Sequence, residues 1–286
     1  MHRAYAKINL GLLIHGRRPD GYHEIETIFH RIDLYDELRF EESSDVEISC
    51  SDPAIPSDEK NLCYKAATLL REHLHIQDGV RIILKKNIPV GAGLGGGSAD
   101  AALVLRKLPV FWKVGISEAD LASLALQLGS DVPYFLRTGT ALARGRGEIL
   151  EYFHLSLPYT NLVCFPNIPI STQWAYSRID DVRSQPATRQ PRPGLPKVND
   201  PQTICKRLTN DFEEIVFEAH PDIRKVKESM EDGGAECASL SGSGSSVFGL
   251  FSSAEHAKKT GQLLESNGYR IFLTPSNFVP VHSEPA

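Results

Sequence analysis

The sequence predicts an α+β protein of two domains, residues 1–155 and 156–286, and three observations lead there. At about 150 residues per domain, a chain of 286 residues has room for two cores. The first part opens on long extended segments and continues into strands mixed with helices. The second part again alternates short strands with helices, the order of an α+β sandwich with helices on one sheet face.

Each element follows from local pattern. Ala6, Ile8, Leu10 and Leu12 alternate with Lys7, Asn9 and Gly11, so Arg3 to Leu38 reads as extended and puts Lys7 and Asn9 on one face. The cluster Arg17, Arg18, Pro19, Asp20, Gly21 interrupts it as a turn. Asp45 to Cys50 is a further short strand. Leu62, Ala66, Leu69 and Leu70 recur at helical spacing, which predicts a helix over Asn61 to Leu74. Val80 to Leu84 is a compact apolar strand, and Ala99 to Leu108 and Glu118 to Leu128 are helical. Leu162 to Phe165 begins the second domain. Ser184 to Pro196, rich in Pro, Arg, Gln and Gly without apolar periodicity, predicts a surface loop or linker. Beyond it come helices at Asn210 to Ala219 and Asp222 to Met230, strands at Glu236 to Leu240 and Val247 to Phe251, a helix at Ala254 to Ser266 and a strand at Arg270 to Leu273. No internal repeat is visible.

Composition excludes several classes. A net charge of -5 with 41% hydrophobic residues argues against disorder and against a nucleic-acid backbone as the main partner. No apolar run approaches the roughly 18 residues of a membrane helix, and Lys7 and Asn9 break any signal-peptide core. Five scattered cysteines, Cys50, Cys63, Cys164, Cys205 and Cys237, without a Cys-x-x-Cys pair, argue against a disulfide framework or structural zinc and for a reduced, cytoplasmic setting.

The strongest chemical signal is Pro89-Val90-Gly91-Ala92-Gly93-Leu94-Gly95-Gly96-Gly97-Ser98-Ala99-Asp100, between a strand and a helix. Glycines let backbone amides approach a ligand closely, and a helix N-terminus adds partial positive charge, so the arrangement suits phosphate better than a plain flexible turn. No Lys follows Gly96 or Gly97, which excludes the Walker loop. Gly91, Gly93 and Gly96 match a dinucleotide fingerprint formally, but the acid expected at a strand end about 20 residues later falls in a helix instead.

This stretch resembles the second motif of the GHMP kinases, the superfamily of galactokinase, homoserine kinase and mevalonate kinase. The first motif is similar to Ala6-Lys7-Ile8-Asn9-Leu10, and the third, a turn between two strands, to Leu240-Ser241-Gly242-Ser243-Gly244-Ser245-Ser246-Val247-Phe248. The resemblance implies an N-terminal ribosomal protein S5 domain 2-like domain, a C-terminal ferredoxin-like α/β sandwich, and an active site in the cleft between them. Within the superfamily, Arg17-Arg18-Pro19-Asp20-Gly21-Tyr22-His23 and Gly129-Ser130-Asp131-Val132-Pro133-Tyr134-Phe135 resemble the branch whose acceptor is 4-diphosphocytidyl-2-C-methyl-D-erythritol, on the non-mevalonate isoprenoid route. ATP with Mg2+ is the implied phosphoryl donor, and no protein metal cage is expected.

The resemblance assigns Lys7 and Asp131 to catalysis. Asp131 precedes Pro133 at a helix start, where an aspartate could also serve simply as a cap. The loop from Pro89 to Ala99 would hold phosphates, with Asn61 and Lys86 near the adenine. Ala99 replaces a second serine common in the family, so a hydroxyl contact is missing there. Asn9, Tyr22, His23, Tyr176 and Asp131 would face the acceptor, with His23 on the cytosine edge and Tyr176 stacked on the base opposite Tyr22. Trp174 competes for that stacking role. His23 begins His-Glu-Ile-Glu-Thr, but Thr27 stands where a zinc protease needs histidine. Homoserine kinase is the competing enzyme, and a silent nucleotide binder the competing class; an esterase is disfavoured because neither Ser98 nor Ser243 sits in a Gly-x-Ser-x-Gly elbow.

Overall fold

A computed structural model describes residues 1–183, 194–195 and 200–281. Two antiparallel strands, β1 (His2–Arg17) and β2 (His23–Ser43), open the chain around the predicted turn. β3 (Val46–Cys50) runs parallel to β4 (Gly79–Lys85), a pairing that needs a crossover, and α1 (Leu62–His73) supplies it. Together with β5 (Thr140–Arg144) and β6 (Ile149–Phe153) they make a six-stranded sheet in the order β3-β4-β2-β5-β6, with β1 also on β2. α1, α2 (Gly96–Phe111), α3 (Glu118–Leu128) and α4 (Val132–Phe135) cover it, burying Leu70, Ala102, Leu105, Leu108 and Tyr134 against Leu38, Ile82 and Leu84.

The second sheet begins at β7 (Thr160–Phe165) and continues with β8 (Cys237–Leu240), β9 (Val247–Phe251) and β10 (Arg270–Thr274). Its order, β10-β7-β9-β8 with every neighbour antiparallel, is that of a ferredoxin-like βαββαβ unit. α5 (Thr172–Arg183), α6 (Pro201–Arg207), α7 (Glu213–Ala219) and α8 (Pro221–Asp232) occupy the first crossover, and α9 (Ala254–Ser266) the second. β1 is covered on both faces: Ala6, Ile8 and Leu10 pack with Val163 and Phe248 of the second sheet, while Lys7 and Asn9 are 3% and 2% exposed. The alternation read from the sequence therefore separates two buried faces rather than a core face from solvent.

Several elements escaped the sequence pattern. β5 reads Thr-Ala-Leu-Ala-Arg, and its alanines carry little strand preference, yet Ala141, Leu142 and Ala143 are all buried. α5 mixes apolar with polar and charged residues; it fully buries only Ala175 and Ile179, four residues apart, while Trp174, Tyr176 and Val182 pack partly against the core. α6, a single short helix, starts from the Asp200 cap with Pro201 behind it. Most of Ser184 to Pro196 lies outside the described residues; Leu195 within it is buried, beside Gly11. One cysteine expectation is corrected: Cys205 and Cys237 are disulfide-bonded, with Cα atoms 5.3 Å apart, because folding brings α6 against β8 across a separation of 32 residues. Cys50, Cys63 and Cys164 are free thiols. Among the described residues no helix is long and apolar enough to cross a membrane.

Candidate active site

A bulge in β1 shapes the centre. The pairing with β2 shifts register between Asn9 and Leu12, and Gly11 takes φ +95, a left-handed value that a side chain resists. Its carbonyl accepts from Thr27 Oγ1 at 2.6 Å, Thr27 Oγ1 accepts from Asn9 Nδ2 at 2.8 Å, and Asn9 Oδ1 accepts from Lys7 Nζ at 2.6 Å. Lys7 also donates to the Gly93 carbonyl at 3.0 Å, and its ammonium lies 3.6 Å from Asp131 Oδ2. Burial pushes the Lys7 ammonium below its ordinary value, and the Asp131 carboxylate offsets part of that.

Asp131 occupies the cap position of α4 without making a cap hydrogen bond. Its carboxylate is turned instead toward Lys7 and left a third exposed to the cavity. The simple capping reading therefore fails, because the side chain leaves the helix amides unserved. A carboxylate beside a buried ammonium and open to a ligand can accept a proton.

The glycine loop is held by its carbonyls. Gly91 O accepts from Ile170 N, Ala92 O from Ser246 N, Leu94 O from Lys7 N, and Gly93 O from Lys7 Nζ and Ser241 Oγ. Ala92 and Leu94 bury their side chains, while Gly91, Gly93 and Gly95 adopt φ of +65, +74 and +69. Among the described residues no acceptor meets the N–H groups of Gly93, Gly95, Gly96, Gly97 or Ser98, and α2 starts at Gly95 without a side-chain cap. Uncapped amides at the start of a 16-residue helix can receive an anion. The third motif braces this loop: a Cβ on Gly93 would stand 1.9 Å from Ser241 O.

Beneath the loop, Lys86 Nζ donates to Asp100 Oδ2 at 2.8 Å and to Asp36 Oδ2, with all three side chains almost fully buried. Burial alone would lower the Lys86 ammonium, but Asp100 and Asp36 outweigh it and hold the group raised. Burial, with repulsion from Asp36, pushes the Asp100 carboxyl up despite Lys86. Asn61 caps α1, accepting from Cys63 N at 2.9 Å and donating to Pro56 O at 2.8 Å. Both residues predicted near adenine are thus largely committed to the protein, although both line the cavity.

At the other end, His23 Nε2 is 2.7 Å from Asp180 Oδ1, and its ring stacks on Tyr176 with centroids 4.5 Å apart and planes at 20°. Phe212 meets Tyr176 edge-on. Tyr22 is half exposed, and the Arg146 guanidinium lies 4.3 Å from its ring centre. The face of Tyr176 expected to sandwich a base with Tyr22 is shared by His23 in this structure. Trp174 packs edge-on against His220 and does not line the cavity.

One cavity of about 1060 Å³ is lined by Lys7, Asn9, Tyr22, His23, Asn61, Lys86, the loop from Pro89 to Ser98, Asp131 and Tyr176. Ala99 is the exception: its methyl is in the core and its N–H bonds Gly95 O, so the missing serine hydroxyl would have faced the interior. Arg17, Arg146, Thr172, Asp180 and Ser243 also line the cavity and were not foreseen. Arg146 comes from the turn of the unforeseen β5–β6 hairpin and Asp180 from the unforeseen helix α5, so no local signal marked either residue.

Family comparisons agree with this geometry. The GHMP kinases N terminal domain model matches residues 61–139, and the GHMP kinases C terminal model matches residues 192–269. The chain belongs to the GHMP kinases, ATP-dependent small-molecule phosphotransferases. It is 46% identical to the 4-diphosphocytidyl-2-C-methyl-D-erythritol kinase of Chlorobium phaeobacteroides, over 96% of this chain and 95% of that relative. A crystal structure of 4-(cytidine 5'-diphospho)-2C-methyl-D-erythritol kinase superposes with a TM-score of 0.81 at 35% identity, covering 95% of this chain and 97% of that one. A homoserine kinase from Cytophaga hutchinsonii, at 21% identity and TM-score 0.65 over 96% and 94% of the two chains, shares the fold.

Proposed function

We propose that the chain transfers the γ-phosphoryl group of ATP to the 2-hydroxyl of 4-diphosphocytidyl-2-C-methyl-D-erythritol, giving the 2-phosphate and ADP in the non-mevalonate isoprenoid route of the cytoplasm. The observation that carries this reading is the Lys7–Asp131 pair, set in the one cavity that also holds the glycine loop and the His23–Tyr176 stack. In this reading residues 1–155 form the ATP-binding domain and residues 156–286 the C-terminal GHMP domain; the change of sheet between Phe153 and Thr160 supports that division.

The free amides from Gly93 to Ser98 bind the phosphates, and Asn61 and Lys86 shape the adenine end. Among the described residues no cluster of three metal-ligating side chains exists, so magnesium enters as part of MgATP. Asp131 accepts the proton of the 2-hydroxyl as its oxygen bonds to the γ-phosphorus and the bond to the ADP oxygen breaks. Lys7, held by Asn9 and Gly93, pairs with Asp131 and offsets negative charge on the transferring group. A base bonded in the plane of the His23 ring lies parallel to Tyr176, which supports the cytosine assignment. The test is ADP release with MgATP and the cytidyl acceptor, with homoserine and mevalonate alongside. Release with the cytidyl acceptor alone is expected; turnover of another acceptor instead would discard the roles of Tyr22, His23 and Tyr176.

A further inference from the structure

We infer that Asp180 is the positioning residue that makes this site choose cytosine over uracil, by fixing which ring nitrogen of His23 carries the proton. The inference rests on the assignment of His23 to the base edge. Tyr176 and Asp180 stand four residues apart on α5 and so share one helix face. One takes the flat face of the His23 imidazole and the other its Nε2 edge, at 2.7 Å. The ring is held in orientation as well as in place.

An ionised carboxylate only accepts hydrogen bonds, so the proton of the shared bond belongs to Nε2. The Arg17 guanidinium lies 3.9 Å from the second Asp180 oxygen. A neutral imidazole protonated on Nε2 presents Nδ1 as a bare acceptor. Among the described residues Nδ1 of His23 makes no hydrogen bond, and the residue lines the cavity. A bare acceptor takes a hydrogen from the exocyclic amine of cytosine. Against the carbonyl oxygen that uracil carries at the same position it sets lone pair against lone pair. Discrimination then arises from a repulsive contact as well as an attractive one.

Nothing in the local sequence marks this pair, since His23 and Asp180 lie 157 residues apart. The consequence is specific: without an obligate acceptor at Nε2, the imidazole can shift its proton to Nδ1 and then donate to a carbonyl.

The test compares kcat/KM for 4-diphosphocytidyl-2-C-methyl-D-erythritol and its uridyl counterpart at pH 8, in the full-length enzyme, D180N and D180E. The wild-type protein is expected to favour the cytidyl acceptor by ~100-fold or more, and D180N, whose amide can donate or accept, to narrow that ratio by at least ~10-fold, chiefly through KM. D180E keeps an acceptor-only carboxylate and should restore much of the ratio, which a general loss of folding would not. An unchanged ratio in active D180N overturns the inference while leaving His23 on the base. Equal use of both acceptors by the wild-type protein overturns the assignment of His23 itself, and this inference with it.

Discussion

Asp131→Asn isolates the proposed proton acceptor from everything else at the centre. Asparagine has the same shape but cannot take up a proton, and Asp131 makes no cap hydrogen bond whose loss would disturb α4. Loss of general-base catalysis costs ~100- to 10,000-fold in turnover, or ~3–5 kcal/mol of barrier. A second effect follows from the ion pair. Unit charges 3.6 Å apart attract by roughly 5 kcal/mol at an effective dielectric of about 20, and by less where water reaches the third-exposed carboxylate. Lys7 is already pushed down by burial, and removing Asp131 pushes it down further. A lysine is charged below its pKa, so residual turnover in the variant should fall away on the alkaline side at a lower pH than in the wild-type protein. The assay is coupled ADP release across pH 6 to 10, with ATP affinity from calorimetry as the control. Turnover within about tenfold of wild type at saturating substrates, with an unmoved alkaline limb, would refute the general-base role.

Three further outcomes are expected. Gly93→Ala would bring a methyl to 1.9 Å from Ser241 O at a backbone φ of +74, so ATP affinity should drop at least ~10-fold through strain of ~1–3 kcal/mol; calorimetric binding close to wild type would contradict the loop's role. Lys86→Met leaves Asp36 and Asp100 facing each other in the interior, costing ~3–5 kcal/mol and lowering Tm by roughly 10 °C in scanning calorimetry. An unchanged Tm would show that the triad contributes nothing. His30 is held neutral by burial, its pKa lowered from 6.5 to about 4, so the unfolded chain binds the extra proton first. Its contribution, up to ~3 kcal/mol, is present above pH 6.5 and lost as pH falls toward 4, and His30→Gln should flatten that part of the stability profile.

Much of the fold was legible because the informative signals are local. Alternation in β1, the 3.6-residue spacing of α1 and α3, and the glycine run each depend on neighbours a few residues away, and each appears where expected. β5 and α5 were not legible: the alanines of one and the irregularly spaced apolar residues of the other carry weak preferences that packing overrides.

The same division runs through the site. The sequence by itself specified the glycine loop and the family, and singled out Lys7 and Asp131, which the structure brings to 3.6 Å of each other, because those rest on residue identities within short motifs. Folding alone decided that Asp131 abandons its cap for Lys7, that Asn61 and Lys86 are tied to the protein, that Ala99 faces the core, and that Cys205 meets Cys237. It also placed Asp180 at the edge of His23 and Arg146 over Tyr22. Each of these is a contact whose energy depends on distance, burial and orientation between segments far apart in the chain, quantities that exist only once both sheets have closed around the cavity.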